Sequence, residues 1–344
     1  MQLLGGLAPR TFLRRHWQKR PLLVRGALPG FGGVLGQRAL AALALRDDVE
    51  SRIVKRRGAR WDTAHGPFNG EITLRKNSTL LVSGVNLHLP AADALLRRFD
   101  FVPQARLDDL MVSFAAPGGG VGPHTDSYDV FLLQGPGRRR WKVWLSSKKT
   151  ATYVLGPGDL LYLPPGLKHD GVALEPCYTY SIGFRTPRGA ELGAAFLDWL
   201  HERGLPDARY RDPGLAPARG GGIPRQMVAF ASHFLRKIRW SKKDVSIFLG
   251  EYLSAPKPHV VFRPGRGKRP LARSQVRLDP KTQLLYSANR FFINGESLSM
   301  SGKNSRSLKH LADKRSAPGT ELRGLASLIG QWHRAGYLHL EKAR

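Results

Sequence analysis

The segment GGGVGPHTDSYDVFLLQGPGRRRWKVW, residues 118–144, sets the problem. It places His124 and Asp126 two residues apart at the mouth of an apolar strand, then passes a Pro-Gly turn into three arginines and a tryptophan. Side chains alternate faces along an extended strand, so His124 and Asp126 project together while Thr125 points away. A metal asks this of two neighbouring ligands. A third arrives from DLLYLPPGLKHDG (159–171), where a short apolar strand enters a Pro-Pro-Gly turn and presents His169. Two histidines and one carboxylate make the facial triad of a non-haem Fe(II) oxygenase, which leaves the remaining coordination positions open. Zinc more often takes a closed tetrahedral set, and structural zinc recruits cysteine, of which the chain has one, Cys177. A lone His-x-Asp is a weak signal; a glycine loop, His-x-Asp, apolar strand, arginine strand, Pro-Gly turn and His in sequence is a strong one.

The open positions suit O2 and a bidentate 2-oxo acid, whose distal carboxylate then needs a cation inside the fold. Arginine fits because its planar fork binds a carboxylate bidentately and stays charged when buried. By alternation Arg139 faces opposite to Arg138 and Arg140, so the middle arginine is the expected inward cation and its neighbours solvate the outer face. Ser113, on the strand MVSF before the glycine loop, is placed to add a hydroxyl to the same carboxylate. The loop PGGGVG lacks the following helix and Lys-Ser or Lys-Thr pair of a phosphate cradle. It is read as backbone passing close to a bound substrate.

The 344 residues are enough for about two or three domains, and an apolar content of 42% is that of ordinary globular protein. One cysteine excludes an internal disulfide framework and fits a reducing, cytoplasmic setting. The N-terminal MQLLGGLAPRTFLRRHWQKRP is too soon basic for a signal peptide, and no apolar run reaches transmembrane length. The net charge of +29, from 55 Lys+Arg against 26 Asp+Glu, favours acidic partners, nucleic acid above all.

Three regions separate by pattern. Residues 1–188 carry many short β-type runs broken by Gly and Pro, as in a sandwich or barrel. Residues 189–255 turn helical: Leu192, Phe196, Trp199 and Leu200 share one face, as do Met227, Phe230, Phe234 and Ile238. Ser241 and Asp244 open a third helix in capping-box positions. Residues 256–344 mix short strands, an Asn294-Gly295 turn and helices in the order of a winged helix.

FLRRHWQKRPLLVRGALPGF (12–31), AHGPF (64–68), residues 107–141, GPGDLLYLPPGLKHDGVALE (156–175) and YSIGFRTP (180–187) closely resemble the bacterial branch of the JmjC-type ribosomal oxygenases. The likeness continues more loosely through nearly the whole chain. It implies a double-stranded β-helix (cupin, jelly-roll) catalytic domain, a helical dimerisation region, hence a homodimer, and a winged-helix-like C-terminal domain. Carried over by position, it implies iron ligation by His124, Asp126 and His169, and 2-oxoglutarate contacts by Ser113 and Arg139. The implied reaction consumes O2 and 2-oxoglutarate to 3-hydroxylate an arginine of large-subunit ribosomal protein sixteen. A demethylase or small-molecule oxygenase on the same scaffold, and a non-catalytic RNA- or ribosome-binding cupin protein, are the competing readings.

Two departures stand out. The segment between Trp141 and Gly156 is shorter than in the resembled family, which bears on the rim of the substrate entrance. The high charge should also repel a basic ribosomal protein unless the rim is locally acidic. Asp108, Asp109, Asp129 and Asp170 are the candidates for such a rim. Ribosomal RNA met through the basic segments RKIRWSKK (236–243) and RPGRGKRPLAR (263–273) is the alternative route to the substrate.

Overall fold

A computed structural model describes residues 2–217, 220–265 and 270–342. The first half of the chain builds eleven strands: β1 (Leu22–Val24), β2 (Ser51–Arg57), β3 (Arg60–His65), β4 (Ser78–Val82), β5 (Leu107–Ala115), β6 (Val130–Gln134), β7 (Arg139–Trp144), β8 (Thr150–Leu155), β9 (Leu160–Leu163), β10 (His169–Ala173) and β11 (Cys177–Phe184). Helices α1 (Pro9–Arg15), α2 (Gln37–Ala44) and α3 (Pro90–Leu96) interrupt them. The strands form an eight-stranded sheet in the order β1-β9-β6-β11-β5-β4-β2-β3 and a three-stranded sheet β10-β7-β8. This is the two-sheet jelly roll predicted from the sequence.

Burial follows residue pattern. Along β7, Arg139, Trp141 and Val143 are buried while Arg140 and Lys142 are exposed, the period of two that gives the small sheet an inner and an outer face. β4, β6 and β9 are buried throughout, the polar Ser78, Thr79 and Gln134 included, as strands covered on both faces require. One core lies where the N-terminal helices meet the large sheet, with Phe12 packed against Phe101, Phe131 and Tyr162. Burying a side chain such as Phe12 contributes roughly 1.5–3 kcal/mol. A second core, with Val130, Leu132, Trp141, Val143 and Leu161, fills the space between the two sheets.

The later elements in chain order are α4 (Gly189–Glu202), α5 (Arg225–Leu235), α6 (Lys242–Ser254), β12 (Ser274–Leu278), β13 (Leu284–Ser287), β14 (Arg290–Ile293), β15 (Glu296–Ser299), α7 (Gly302–Lys314), β16 (Ser316–Pro318), α8 (Ala326–Ala335) and β17 (Leu338–Lys342). The chain divides into two compact units that change at 186/187, 255/256, 282/283 and 301/302. One unit joins the jelly roll to residues 256–282 and 302–344; the other holds 187–255 and 283–301.

In the first unit, β16-β12-β17 forms a sheet on which α7 and α8 bury Leu308, Leu311, Ile329 and Trp332. The buried Arg315 guanidinium donates to the carbonyls of Thr282 and Asp279 and stands 4.0 Å from Asp93 of α3, tying this sheet to the jelly roll. In the second unit, Phe196, Trp199 and Phe248 stack α4 on α6, and Trp199 Nε1 donates to Glu251 at 2.7 Å. Ser241 and Asp244 form the predicted capping box at the start of α6. β14 and β15 turn at Asn294-Gly295, both at positive φ, which is why this dipeptide was readable as a hairpin.

Candidate metal centre

The two sheets enclose a cavity of about 440 Å³ lined by His124, Asp126, His169, Arg139 and Ser113, all the predicted site residues. His169 opens β10. His124 departs from expectation: it lies in an irregular segment before β6, not in a strand. One bridge holds it, His124 N donating to His169 O at 3.0 Å and His169 N to His124 O at 2.9 Å. The bridge brings the rings to a centroid distance of 4.3 Å. Asp126 closes the set, with Oδ1 3.8 Å from His124 Nε2 and Oδ2 3.6 Å from His169 Nε2. Among the described residues this is the one group of three or more His, Cys, Asp or Glu able to hold a metal ion.

The imidazoles are pre-set for ligation. His124 Nδ1 lies 2.9 Å from the Gly122 carbonyl, and His169 Nδ1 2.9 Å from the Leu167 carbonyl. A carbonyl only accepts, so each Nδ1 carries the proton and each Nε2 is left free to ligate. His169 is 2% exposed. Burial holds its pKa below the ordinary imidazole range, which favours the neutral form a metal binds.

Arg139 is 5% exposed and points into the cavity from β7, as alternation predicted. Its Nη1 donates to Ser113 Oγ at 3.5 Å, and its Nε and Nη2 have no partner. Trp141 Nε1 and Thr79 Oγ1, which line the same cavity, are also buried without partners. Unmade hydrogen bonds on a buried guanidinium cost free energy until an anion takes them. The donor set fits a carboxylate, and the His-Asp-His oxygen and nitrogen set fits ferrous iron. Arg138 instead pairs with Glu175 in the open, and Arg140 is exposed.

The rest of the cavity carries Glu50, Asp108, Asp109 and Tyr128 beside Arg52 and Lys257. Asp109 accepts from Gly84 N at 2.8 Å, and burial raises its pKa. Asp108 lies 3.2 Å from Lys257 and 3.4 Å from Arg185. Two of the four rim candidates are corrected. Asp129 is fully buried away from the cavity, accepting from Tyr162 Oη at 2.5 Å and Gln18 Nε2 at 3.1 Å. Asp170 does not line the cavity, because it alternates with His169 on β10 and turns to the other face of the small sheet. The glycine loop also has a different cause from the one expected. A Cβ on Gly119 would overlap the Ser78 carbonyl, and one on Gly120 the Gly171 carbonyl, so protein backbone demands these glycines.

Sequence reasoning passed over Tyr128, Trp141, Glu50, Arg52 and Lys257. Tyr128 continues the 124, 126, 128 alternation and Trp141 the 139, 141, 143 alternation, so both were within reach. Lys257 lies far along the chain with no local signal.

The JmjC domain model matches residues 94–153 and 145–192, and the ROXA-like winged helix model matches 237–339. Ribosomal protein uL16 3-hydroxylase of Escherichia coli is 39% identical over 274 residues, covering 74% of this chain and 73% of its own. A probable ribosomal oxygenase of Haemophilus influenzae is 36% identical over 208 residues, 54% of this chain and 52% of its own. The structure of YcfD, a ribosomal oxygenase from E. coli, solved with cobalt and 2-oxoglutarate, superposes with a TM-score of 0.82 at 32% identity, covering 98% of this chain and 99% of that one. The two-sheet fold, the His-Asp-His centre and this extent of likeness together place the chain in the JmjC-domain family of ribosomal oxygenases.

Proposed function

We propose that the protein is an Fe(II)- and 2-oxoglutarate-dependent hydroxylase that adds a 3-hydroxyl to one arginine of ribosomal protein uL16. One observation carries the reading: a His-Asp-His cluster able to hold a metal and a buried guanidinium with unused donors line one cavity, whose remainder carries Glu50, Asp108 and Asp109 beside Arg52 and Lys257. His124, Asp126 and His169 would hold the iron. With iron and 2-oxoglutarate bound, the site supplies O2-dependent oxidative decarboxylation, which yields succinate and CO2 and leaves one oxygen atom for a substrate C–H bond.

Every other task belongs to the chain. Arg139 takes the far carboxylate of 2-oxoglutarate through Nε and Nη2, with Ser113 Oγ and Thr79 Oγ1 beside it. Trp141, stacked 5.7 Å from that guanidinium, walls the cosubstrate from water. Glu50, which makes no ion pair among the described residues, supplies the local acidity that draws a substrate guanidinium into the cavity despite the repulsive net charge, while Asp108 is already shared by Lys257 and Arg185. Holding the target C–H bond close to the centre is the remaining contribution of the fold.

The helices of residues 187–255 leave Leu197, Val228 and Leu235 between 55% and 68% exposed. Apolar side chains displayed this way favour burial against a second copy, so the proposal includes a homodimer through this region. Of the basic segments read as RNA-contacting, residues 266–269 lie outside the described residues. With a ribosomal substrate, the proposal includes a cytoplasmic protein. Intact-mass analysis of ribosomal proteins from cells with and without the gene tests the assignment. Loss of one oxygen atom from uL16 alone is expected, and an unchanged uL16 mass would refute the substrate.

A further inference from the structure

The outward face of the small sheet carries residues that the catalytic reading leaves unused. Arg140 and Lys142 project outward from β7, Lys168 stands exposed just before β10, and Lys148 and Lys149 occupy the exposed β7–β8 turn. None of these five cations makes an ion pair or a side-chain hydrogen bond to the protein among the described residues. The neighbouring Arg138, by contrast, is neutralised by Glu175 at 3.1 Å. Asp170, opposite Lys142 in the ladder, is the one carboxylate these strands turn outward. Amid the cations sits Trp144, with the ammonium groups of Lys142 and Lys168 at 4.9 and 5.1 Å from its ring centroid. Exposed Thr150 and Thr152 on β8 add hydroxyls.

We infer that this face binds single-stranded RNA, its lysines and Arg140 contacting phosphates and Trp144 stacking a base. Charge complementarity selects a polyanion, and the aromatic ring among unpaired cations selects a nucleic acid over an acidic protein, because every base offers a π-face to stack. The surplus is local as well as global: five cations face one carboxylate here, within a chain of net charge +29. The inner face of the same sheet carries Arg139 and His169. RNA held on the outer face therefore leaves the catalytic cavity free for a protein segment of the same particle. The inference does not depend on which residue is hydroxylated.

Fluorescence anisotropy of a labelled single-stranded oligouridylate, titrated with the full-length protein across a salt series, tests it. Three to five phosphate contacts predict an affinity that falls about 20- to 100-fold between 50 and 200 mM salt. Lys142→Glu/Lys168→Glu should weaken binding at least about tenfold and flatten the salt slope by about 1.4. Lys148→Glu/Lys149→Glu, confined to the turn, should act the same way without touching a strand. Trp144→Ala should cost about tenfold with the slope unchanged. Lys242→Glu/Lys243→Glu, an equal charge change in the basic segment 236–243 that the sequence offers as the rival RNA contact, should leave binding within about twofold. Wild-type affinity in both sheet-face lysine pairs, or equal loss in the α6 pair, would overturn the assignment. Competition by polyglutamate as effective as by the oligonucleotide would overturn it in favour of an acidic protein.

Discussion

Replacing Arg139 with alanine separates a ligand-binding cation from a structural one. In the free protein the guanidinium is buried with one hydrogen bond, at 3.5 Å to Ser113 Oγ, while Nε and Nη2 go unused. Removing such a group forfeits little native bonding, and relief of an undercompensated buried charge offsets the packing lost with its methylenes. The net change in folding free energy should stay within about 1 kcal/mol, a shift of about 2–4 °C in melting temperature. The cosubstrate should respond far more. Breaking a buried cation–carboxylate pair costs about 3–5 kcal/mol. Chelation at the metal and the Ser113 hydroxyl remain, so the low end applies, equivalent to about a hundredfold rise in KM for 2-oxoglutarate. Thermal melting with and without 2-oxoglutarate and Mn(II), joined to succinate release against 2-oxoglutarate concentration, reads both quantities. The variant should melt near the wild type alone and lose the stabilisation by 2-oxoglutarate. A variant that melts far below the wild type yet keeps the wild-type KM, or an Arg138→Ala variant that fails instead, would refute the reasoning.

His124→Ala and Asp126→Ala should each abolish succinate release and lower bound iron in metal analysis, while melting temperatures stay near wild type. His88 titrates near 4 in the folded protein against 6.5 ordinarily, burial being the main cause. The unfolded chain therefore takes up that proton first, so the stability tied to His88 is full above pH 6.5 and is lost as the pH falls toward 4. Discounted for partial exposure, the loss is about 1 kcal/mol; His88→Asn should flatten this part of the denaturant-stability profile, and an unchanged profile would count against it. Leu197→Asp with Val228→Asp should convert a dimer to a monomer by light scattering, with succinate release largely retained; an unaltered mass would move the interface elsewhere.

What was legible in the sequence was whatever a short period controls. Alternation along residues 139–144 assigned Arg139 inward and Arg138 and Arg140 outward, because a strand between a core and solvent has no other register to adopt. The capping box at Ser241 and the turn at Asn294-Gly295 were legible for the same local reason. His124 and Asp126 were paired correctly by spacing although their segment is not a strand; a single bridge to His169 does the work that strand pairing was expected to do. Asp129 illustrates the limit. Its exclusion from the cavity depends on Tyr162 and Gln18, both remote in sequence, whose hydrogen bonds satisfy a fully buried carboxylate. The grouping of residues 283–301 with the helices of 187–255 was equally hidden, because contacts between segments remote in sequence decide it.

The most direct test of the central claim is the stoichiometry of succinate to hydroxylated arginine, measured on purified protein with uL16, Fe(II), 2-oxoglutarate and air. One succinate per oxygen atom gained on a single arginine, with both products absent when iron or 2-oxoglutarate is withheld, is the predicted result. Hydroxylation that proceeds without iron, or succinate formed with uL16 left unmodified, would contradict it.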